Sequence, residues 1–393
     1  MVLQAPVPRA SVGPAARAGP LPGAKEPPVT LKAAIVGTGA VAHLHAQAVA
    51  ADPRVELVAV SNRSTERREA FADTYGVRGR YATHTELLAA EELDLVILCT
   101  PPDLHREQTL DAYAAGVHVL CEKPPALSLD ELDDMQSAAD AAGLAFAIVF
   151  QQRTGTAAAH VKHLLDTGAL GRPLLAQCQT LWLRQDDYYA VDWRGTWDGE
   201  GGGTTLGHGI HQMDLLAHLL GDWAEVDARL WRLARDIEME DTSTATIRFA
   251  NGVIATAVSS VLAPRETSYV RIDTELATVE VEHLYGHSGD SWRITPARGV
   301  SEDQTAAWAF PAEDEPSGHE PLVRAVVDAL VAGEPMPDLV TYARRPLELV
   351  TAIYASATHG RAITHESLDA DAQFRSDLRA EVTDLRPAAG PTA

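Results

Sequence analysis

The segment Gly37-Thr38-Gly39-Ala40-Val41-Ala42 limits the fold more than any other stretch of this chain. It follows directly on an apolar run, Leu31 to Val36, and opens into the helical pattern His43 to Ala51. In such a segment the first glycine permits a tight strand-to-helix turn and the second lets backbone approach a pyrophosphate. The alanine lets the helix pack close to its sheet. A helix start also offers free N–H donors and the positive end of its dipole to an anion. The spacing predicts a strand–turn–helix unit that takes a dinucleotide, with Gly37, Thr38, Gly39, Ala40 and Val41 around its phosphates.

The same alternation continues. Apolar runs recur at Val55 to Val60, Asp94 to Thr100, Val117 to Cys121 and Leu144 to Phe150. Helical patterns separate them at Glu66 to Tyr75, Thr85 to Ala90, Glu107 to Ala115 and Leu129 to Ala142. Unbroken apolar strands alternating with helices specify a parallel sheet covered on both faces. The second strand ends in Ser61-Asn62-Arg63, with Arg67 and Arg68 a turn further on. An NAD-specific site usually places an acidic residue there, which would repel a 2′-phosphate, whereas Asn62 and Arg63 can donate to one. NADP is therefore favoured over NAD. Thr100-Pro101, with His105 close behind, ends a later strand and holds a loop near the cofactor.

Glu122-Lys123-Pro124 ends the strand Val117 to Cys121, so Lys123 stands at the carboxyl edge of the sheet, where ligands bind in open α/β folds. Lysine is rare here, occurring only at Lys25, Lys32, Lys123 and Lys162. Arginine cannot give up its proton, whereas a buried lysine can take part in acid–base chemistry.

After Gln151 the period changes. One helix, Thr156 to Thr167, precedes alternating stretches at Leu174 to Leu183, Glu225 to Arg232, Thr242 to Phe249, Val253 to Val261, Tyr269 to Thr274 and Ala277 to His283. Two late helices follow, Glu320 to Ala332 and Tyr342 to Thr358. The expected architecture is α/β throughout. An N-terminal Rossmann domain (31–151) precedes a C-terminal α/β domain (152–366) with a large open, mainly antiparallel sheet. Residues 1–30, rich in Pro, Ala and Gly, read as a disordered leader, and 367–393 as a polar, peripheral tail.

A formal charge of −23 argues against nucleic acid and anionic membranes as partners. No apolar run is long enough to span a bilayer and no secretory h-region is present, so a cytoplasmic protein is expected. Cys99, Cys121 and Cys178 are few and widely spaced, which favours buried thiols over a disulfide framework or a zinc site.

The second half carries Gly201-Gly202-Gly203-Thr204-Thr205-Leu206-Gly207-His208-Gly209-Ile210-His211-Gln212-Met213-Asp214. A glycine triplet followed by a helix, Thr205 to Leu220, lets backbone pass close to a ligand before the helix starts. Gly207, His208 and His211 share one face by their three- and four-residue spacing. Three readings stay open for His211: a core histidine, a metal site with His208 and Asp214, and acid–base work beside a nicotinamide.

Together these segments resemble the Gfo/Idh/MocA oxidoreductases, the glucose–fructose oxidoreductase and inositol dehydrogenase family. The resemblance runs from about Leu31 to Ile363. It rests on the glycine loop, Thr100-Pro101 with His105, Gly116-x-His118-Val119 leading into Glu122-Lys123-Pro124, and Gly201-Gly202-Gly203 with His211 and Asp214. It implies NAD(P)-dependent hydride transfer on a sugar, sugar derivative or cyclitol, with Lys123 and His211 catalytic. It also implies a homodimer or homotetramer formed through the C-terminal sheet. Arg153, Asp192, Arg194 and His208 are candidates to bind substrate, and Trp182 or Trp193 to stack on a sugar face. Many members carry an aspartate four residues before the histidine, where this chain has Gly207. The same resemblance admits glycoside processing through a transient 3-keto sugar with retained NAD, or a non-catalytic NAD(P)-binding regulator.

Overall fold

The computed structural model describes residues 30–341, 344–379, 382 and 385. Strands β1 (Leu31–Val36), β2 (Val55–Ser61), β3 (Gly79–Tyr81), β4 (Leu95–Leu98), β5 (His118–Cys121) and β6 (Phe146–Ile148) form one parallel sheet in the order β3-β2-β1-β4-β5-β6. The order reverses between β1 and β4, so the loops leaving these strands diverge and open a crevice at their carboxyl ends. The glycine loop leaves β1 at that point. Gly37 has φ +91°, and a Cβ there would lie 2.7 Å from the Cys99 carbonyl oxygen, so no other residue fits the turn. The helix Ala40–Ala51 that follows begins at Gly39 with no side-chain cap, which leaves its first N–H groups for an anion.

The second sheet holds β7 (Pro173–Leu183), β8 (Trp223–Trp231), β9 (Thr242–Phe249), β10 (Ile254–Ser260), β11 (Leu262–Thr274), β12 (Ala277–Glu282), β13 (Trp292–Pro296) and β14 (Ile363–Thr364). Their order is β13-β12-β11-β7-β10-β9-β8-β14, antiparallel except for the β7–β10 pair. Alternate strand residues such as Ala176, Cys178, Ile247, Ala255, Val270 and Val279 are buried, in one core with the helices Ile210–Leu220 and Arg344–His359. Among the described residues no helix is long and apolar enough to cross a membrane.

Three features depart from the sequence reading. Residue 151 is not a spatial boundary. The helix His319–Ala332 packs on Ala40–Ala51, and its Leu322, Val323, Val326 and Val327 share a core with Ala33, Ile35 and Val49. The tail is not peripheral over its first part: Leu368, Phe374 and Leu378 are buried in the main core, and Arg375 bonds Asp130 and Asp133. Polar neighbours had masked these three apolar anchors. The expected leader (1–30, all but Thr30) and most of the tail beyond 379 lie outside the described residues.

The third departure bears on the site. The helix expected from Thr205 to Leu220 starts as a π-helical turn, Thr205–Gly209, and becomes α-helical only at Ile210–Leu220. Close approaches on both sides hold the turn in place: a Cβ on Gly203 would lie 2.1 Å from the Glu240 carbonyl oxygen, and one on Gly209 2.3 Å from Ser259 Oγ. The buried Glu240 carboxylate accepts from the Thr205 amide at 2.9 Å and from the Tyr354 hydroxyl at 2.8 Å. Such π-turns within helices are frequently found at functional sites.

Candidate active site

Lys123 leaves the end of β5 through a cis Lys123–Pro124 peptide. Its Nζ donates to the Gly207 carbonyl oxygen at 3.2 Å, across 84 residues of sequence. The lysine of the first domain and the π-turn of the second therefore meet. Burial holds the Lys123 pKa below the ordinary lysine value, helped by the charges of Arg194 and Arg184 and opposed by Glu122 and Glu200. Glu122 itself is turned inward. Its carboxylate engages His45 Nε2 at 2.9 Å and His319 Nε2 at 3.4 Å, and accepts from the Lys123 amide at 3.1 Å. Burial works to raise its pKa, but the two histidine hydrogen bonds prevail and hold it well below the usual carboxylate range. Glu122 thus fixes the Lys123 backbone, and His45 and His319 are part of the site's support. No sequence signal links these two histidines to Lys123.

His211 opens the α-helical part of the segment and is 3% exposed. Its ring lies near Trp182 and Tyr285, at centroid distances of 6.1 and 6.3 Å. Nδ1 is sealed from solvent with no hydrogen-bond partner. Burial, then the Lys123 charge, push its pKa well below 6.5, so the ring is neutral near pH 7. His208 is held differently. Its Nε2 lies 3.3 Å from Arg184 Nε and 3.4 Å from the Tyr188 hydroxyl, and its ring stands edge-on to Trp182 at 5.0 Å. Arg184 can only donate, so Nε2 accepts and the His208 ring is neutral as well. Arg194 covers the Tyr188 ring at 3.9 Å and hydrogen-bonds its hydroxyl. Arg184 and Tyr188 were absent from the sequence reading, although the run from Trp182 to Tyr189 at the end of β7 concentrates aromatic and cationic residues.

Several candidates take other roles. Arg153 forms a buried two-pronged ion pair with Asp214, with side chains 3% and 1% exposed. The same pair removes Asp214 from any metal site with His208 and His211. Asp192 is exposed, and no described contact joins it to the Lys123–His211 group. Trp182 is buried beneath the histidines and donates to Ser268 Oγ at 3.0 Å, so it cannot stack on a sugar. Trp193 instead supports Arg194, whose guanidinium lies 4.5 Å from its ring. His105 is fully buried, between the Pro124 and Thr100 carbonyl oxygens at 2.9 Å each. It clamps the Thr100-Pro101 loop to the loop after Lys123 and does not itself meet a cofactor.

The crevice suits a dinucleotide. Gly39 and Ala40 are exposed at the uncapped helix start. The Ser61 carbonyl accepts from the Gly37 amide at 2.9 Å, which braces the loop. Asn62 Nδ2 donates to Thr38 Oγ1 at 2.8 Å and its Oδ1 accepts from the Ser64 amide, so this side chain sets the loop between glycine turn and second strand. Arg63 is exposed beside it.

Comparisons with known proteins place the fold in a family. Residues 31–150 match the oxidoreductase family with an NAD-binding Rossmann fold, GFO_IDH_MocA, and residues 158–280 match the GFO/IDH/MocA C-terminal domain. The chain belongs to this family, and its fold is that of an NAD-binding oxidoreductase. It is 34% identical over 203 residues to 1,5-anhydro-D-fructose reductase of Ensifer adhaerens, covering 51% of this chain and 60% of the relative, less than two thirds of its length. It is 28% identical over 295 residues to D-glucoside 3-dehydrogenase of Escherichia coli K12, covering 70% and 84% of the two chains. The WlbA dehydrogenase of Bordetella pertussis, solved with NADH and UDP-GlcNAcA, superposes with a TM-score of 0.76 at 28% identity, over 85% of this chain and 97% of that one.

Proposed function

We propose that the protein interconverts a secondary alcohol and a ketone on a sugar or sugar derivative, using NAD(P). The observation that carries this reading is the meeting of Lys123 with the π-turn that leads into His211. The nicotinamide supplies hydride acceptance or donation when bound. The glycine loop, Ser61, Asn62 and Arg63 hold the dinucleotide, and the His105 clamp keeps the Thr100-Pro101 loop at its edge. His211 moves the proton of the reacting oxygen. With Nδ1 sealed off, Nε2 is the nitrogen a substrate hydroxyl can reach, and a neutral ring can accept there. Lys123 donates to the same oxygen and offsets the negative charge that develops on it. Trp182 and Tyr285 exclude water from the histidine.

His211→Ala is expected to lower turnover about a hundredfold, the usual weight of a general base. Because burial and Lys123 depress its pKa, His211 stays deprotonated as pH falls from about 8 to about 6.5, so the oxidation rate of the wild type stays level across that range. A fall centred on the ordinary histidine pKa contradicts the assignment. For the cofactor, we favour NADP, because the exposed Arg63 is free to meet a 2′-phosphate. Fluorescence titration is expected to show Arg63→Ala losing about tenfold in NADP affinity with little change for NAD. Tighter NAD than NADP binding by the wild type overturns that choice.

A further inference from the structure

The π-turn Thr205–Gly209 is gripped at its start by two side chains that the acid–base reading does not use. Glu240 is wholly buried, and among the described residues it makes no ion pair. Its carboxylate accepts from the Thr205 amide at 2.9 Å, the Gly203 amide at 3.3 Å and the Tyr354 hydroxyl at 2.8 Å. Its carbonyl oxygen accepts from the Thr204 amide at 3.2 Å, so the amides of Gly203, Thr204 and Thr205 all end on this residue. Tyr354, fully buried on the helix Arg344–His359, accepts from the Gly203 amide as well, at 2.9 Å. Two glycines permit the grip. A Cβ on Gly202 would lie 2.6 Å from the Tyr354 hydroxyl, and one on Gly203 2.1 Å from the Glu240 carbonyl oxygen. Burial raises the Glu240 pKa, opposed by the hydrogen bonds from Thr205 and Tyr354. A buried carboxylate without a counter-charge is costly, and a neutral side chain of similar shape would cost less. Stability alone does not account for a charge at this place.

We propose that Glu240 and Tyr354 are positioning residues, which hold the turn in its π register and so keep the Gly207 carbonyl on Lys123 and His211 at its place in the site. This rests on the roles proposed above for Lys123 and His211. The turn is pinned at its start by Glu240 and Tyr354, and further along by Lys123 Nζ on the Gly207 carbonyl. In an α-helix each carbonyl meets the amide four residues on, and a π-turn lengthens that loop by one residue. Relaxation to the α register therefore rotates the segment before His211 by about 100° around the helix axis. The Gly207 carbonyl then leaves the lysine.

The test uses the full chain as Tyr354→Phe, Glu240→Gln, Lys123→Met and the double variant Tyr354→Phe/Lys123→Met. Hydrogen–deuterium exchange needs no substrate and reads the opening of peptides covering residues 203–211. Tyr354→Phe and Lys123→Met are each expected to speed that exchange about tenfold, and the double variant to fall about fivefold or more short of their product, because both grip one turn. Kinetics follow the sugar that the wild type oxidises fastest among D-glucose, D-xylose and methyl β-D-glucoside. There Tyr354→Phe is expected to lower kcat about tenfold, with KM and cofactor affinity within about twofold, and Glu240→Gln to lower kcat further. A merely structural pair would lower thermal stability and leave the kcat of the folded enzyme native. Unchanged exchange in Tyr354→Phe, single effects that multiply in the double variant, or a native kcat in both Tyr354→Phe and Glu240→Gln overturns the proposal. Absence of cofactor reduction by the wild type with any sugar counts against the oxidoreductase reading alone. The exchange measurements still decide the brace, so the two failures are distinguishable.

Discussion

Replacing Lys123 by Met lowers turnover by about a thousandfold, or about 4 kcal/mol of transition-state stabilisation, while dinucleotide binding is largely kept. The substitution keeps most of the side chain's length and apolar stem and removes the ammonium alone. In the proposed mechanism the lost group both donates to the reacting oxygen and balances its developing charge, in a site where burial makes each interaction count for more than in water. Binding survives because the proposed dinucleotide contacts lie at Gly37 to Val41 and Ser61 to Arg63, away from Lys123. Steady-state kinetics together with a cofactor titration separate the two quantities. A variant with near-native turnover removes Lys123 from the chemistry.

Replacing Asp214 by Ala destabilises the fold by about 3–5 kcal/mol in urea denaturation. The loss leaves the Arg153 guanidinium, 3% exposed, without its carboxylate in the interior. The guanidinium also lies 5.0 Å from the Phe150 ring, which cannot replace the lost charge. The pair also links the turn Gln151–Arg153, just after the first sheet, to the helix that bears His211. A change under about 1 kcal/mol would mean that water or a shifted side chain replaces the carboxylate at little cost.

The dinucleotide half was legible because its signals are local: glycines between a strand and a helix, and apolar runs at regular intervals. Lys123 and His211 were legible as residue types at strand and helix ends. The bond of Lys123 to Gly207, in the turn that leads into His211, was not, since it is a contact over 84 residues that only the folded chain creates. Arg153 illustrates the opposite error. An arginine just past a sheet edge reads as a ligand group until its partner, 61 residues away, is known. The π-turn left no periodic trace, because three glycines and a Gly-His-Gly run suit a loop, an α-helix or a π-turn equally well. Short β13 and β14 were missed for want of length, and the buried Phe374 for want of apolar neighbours.

The helix His319–Ala332 has a consequence for how such a chain can be inherited or cut. The cofactor half borrows part of its outer layer from a helix far downstream in the chain, and His319 at the start of that helix also touches Glu122. A fragment stopping near residue 151 leaves Ala42, Ala46 and Val49 without their cover. Recombination between relatives at that point parts a helix from the surface it was selected to fit. The helix and the surface it covers are best exchanged together, and during synthesis the first half gains this brace only after the helix His319–Ala332 has emerged.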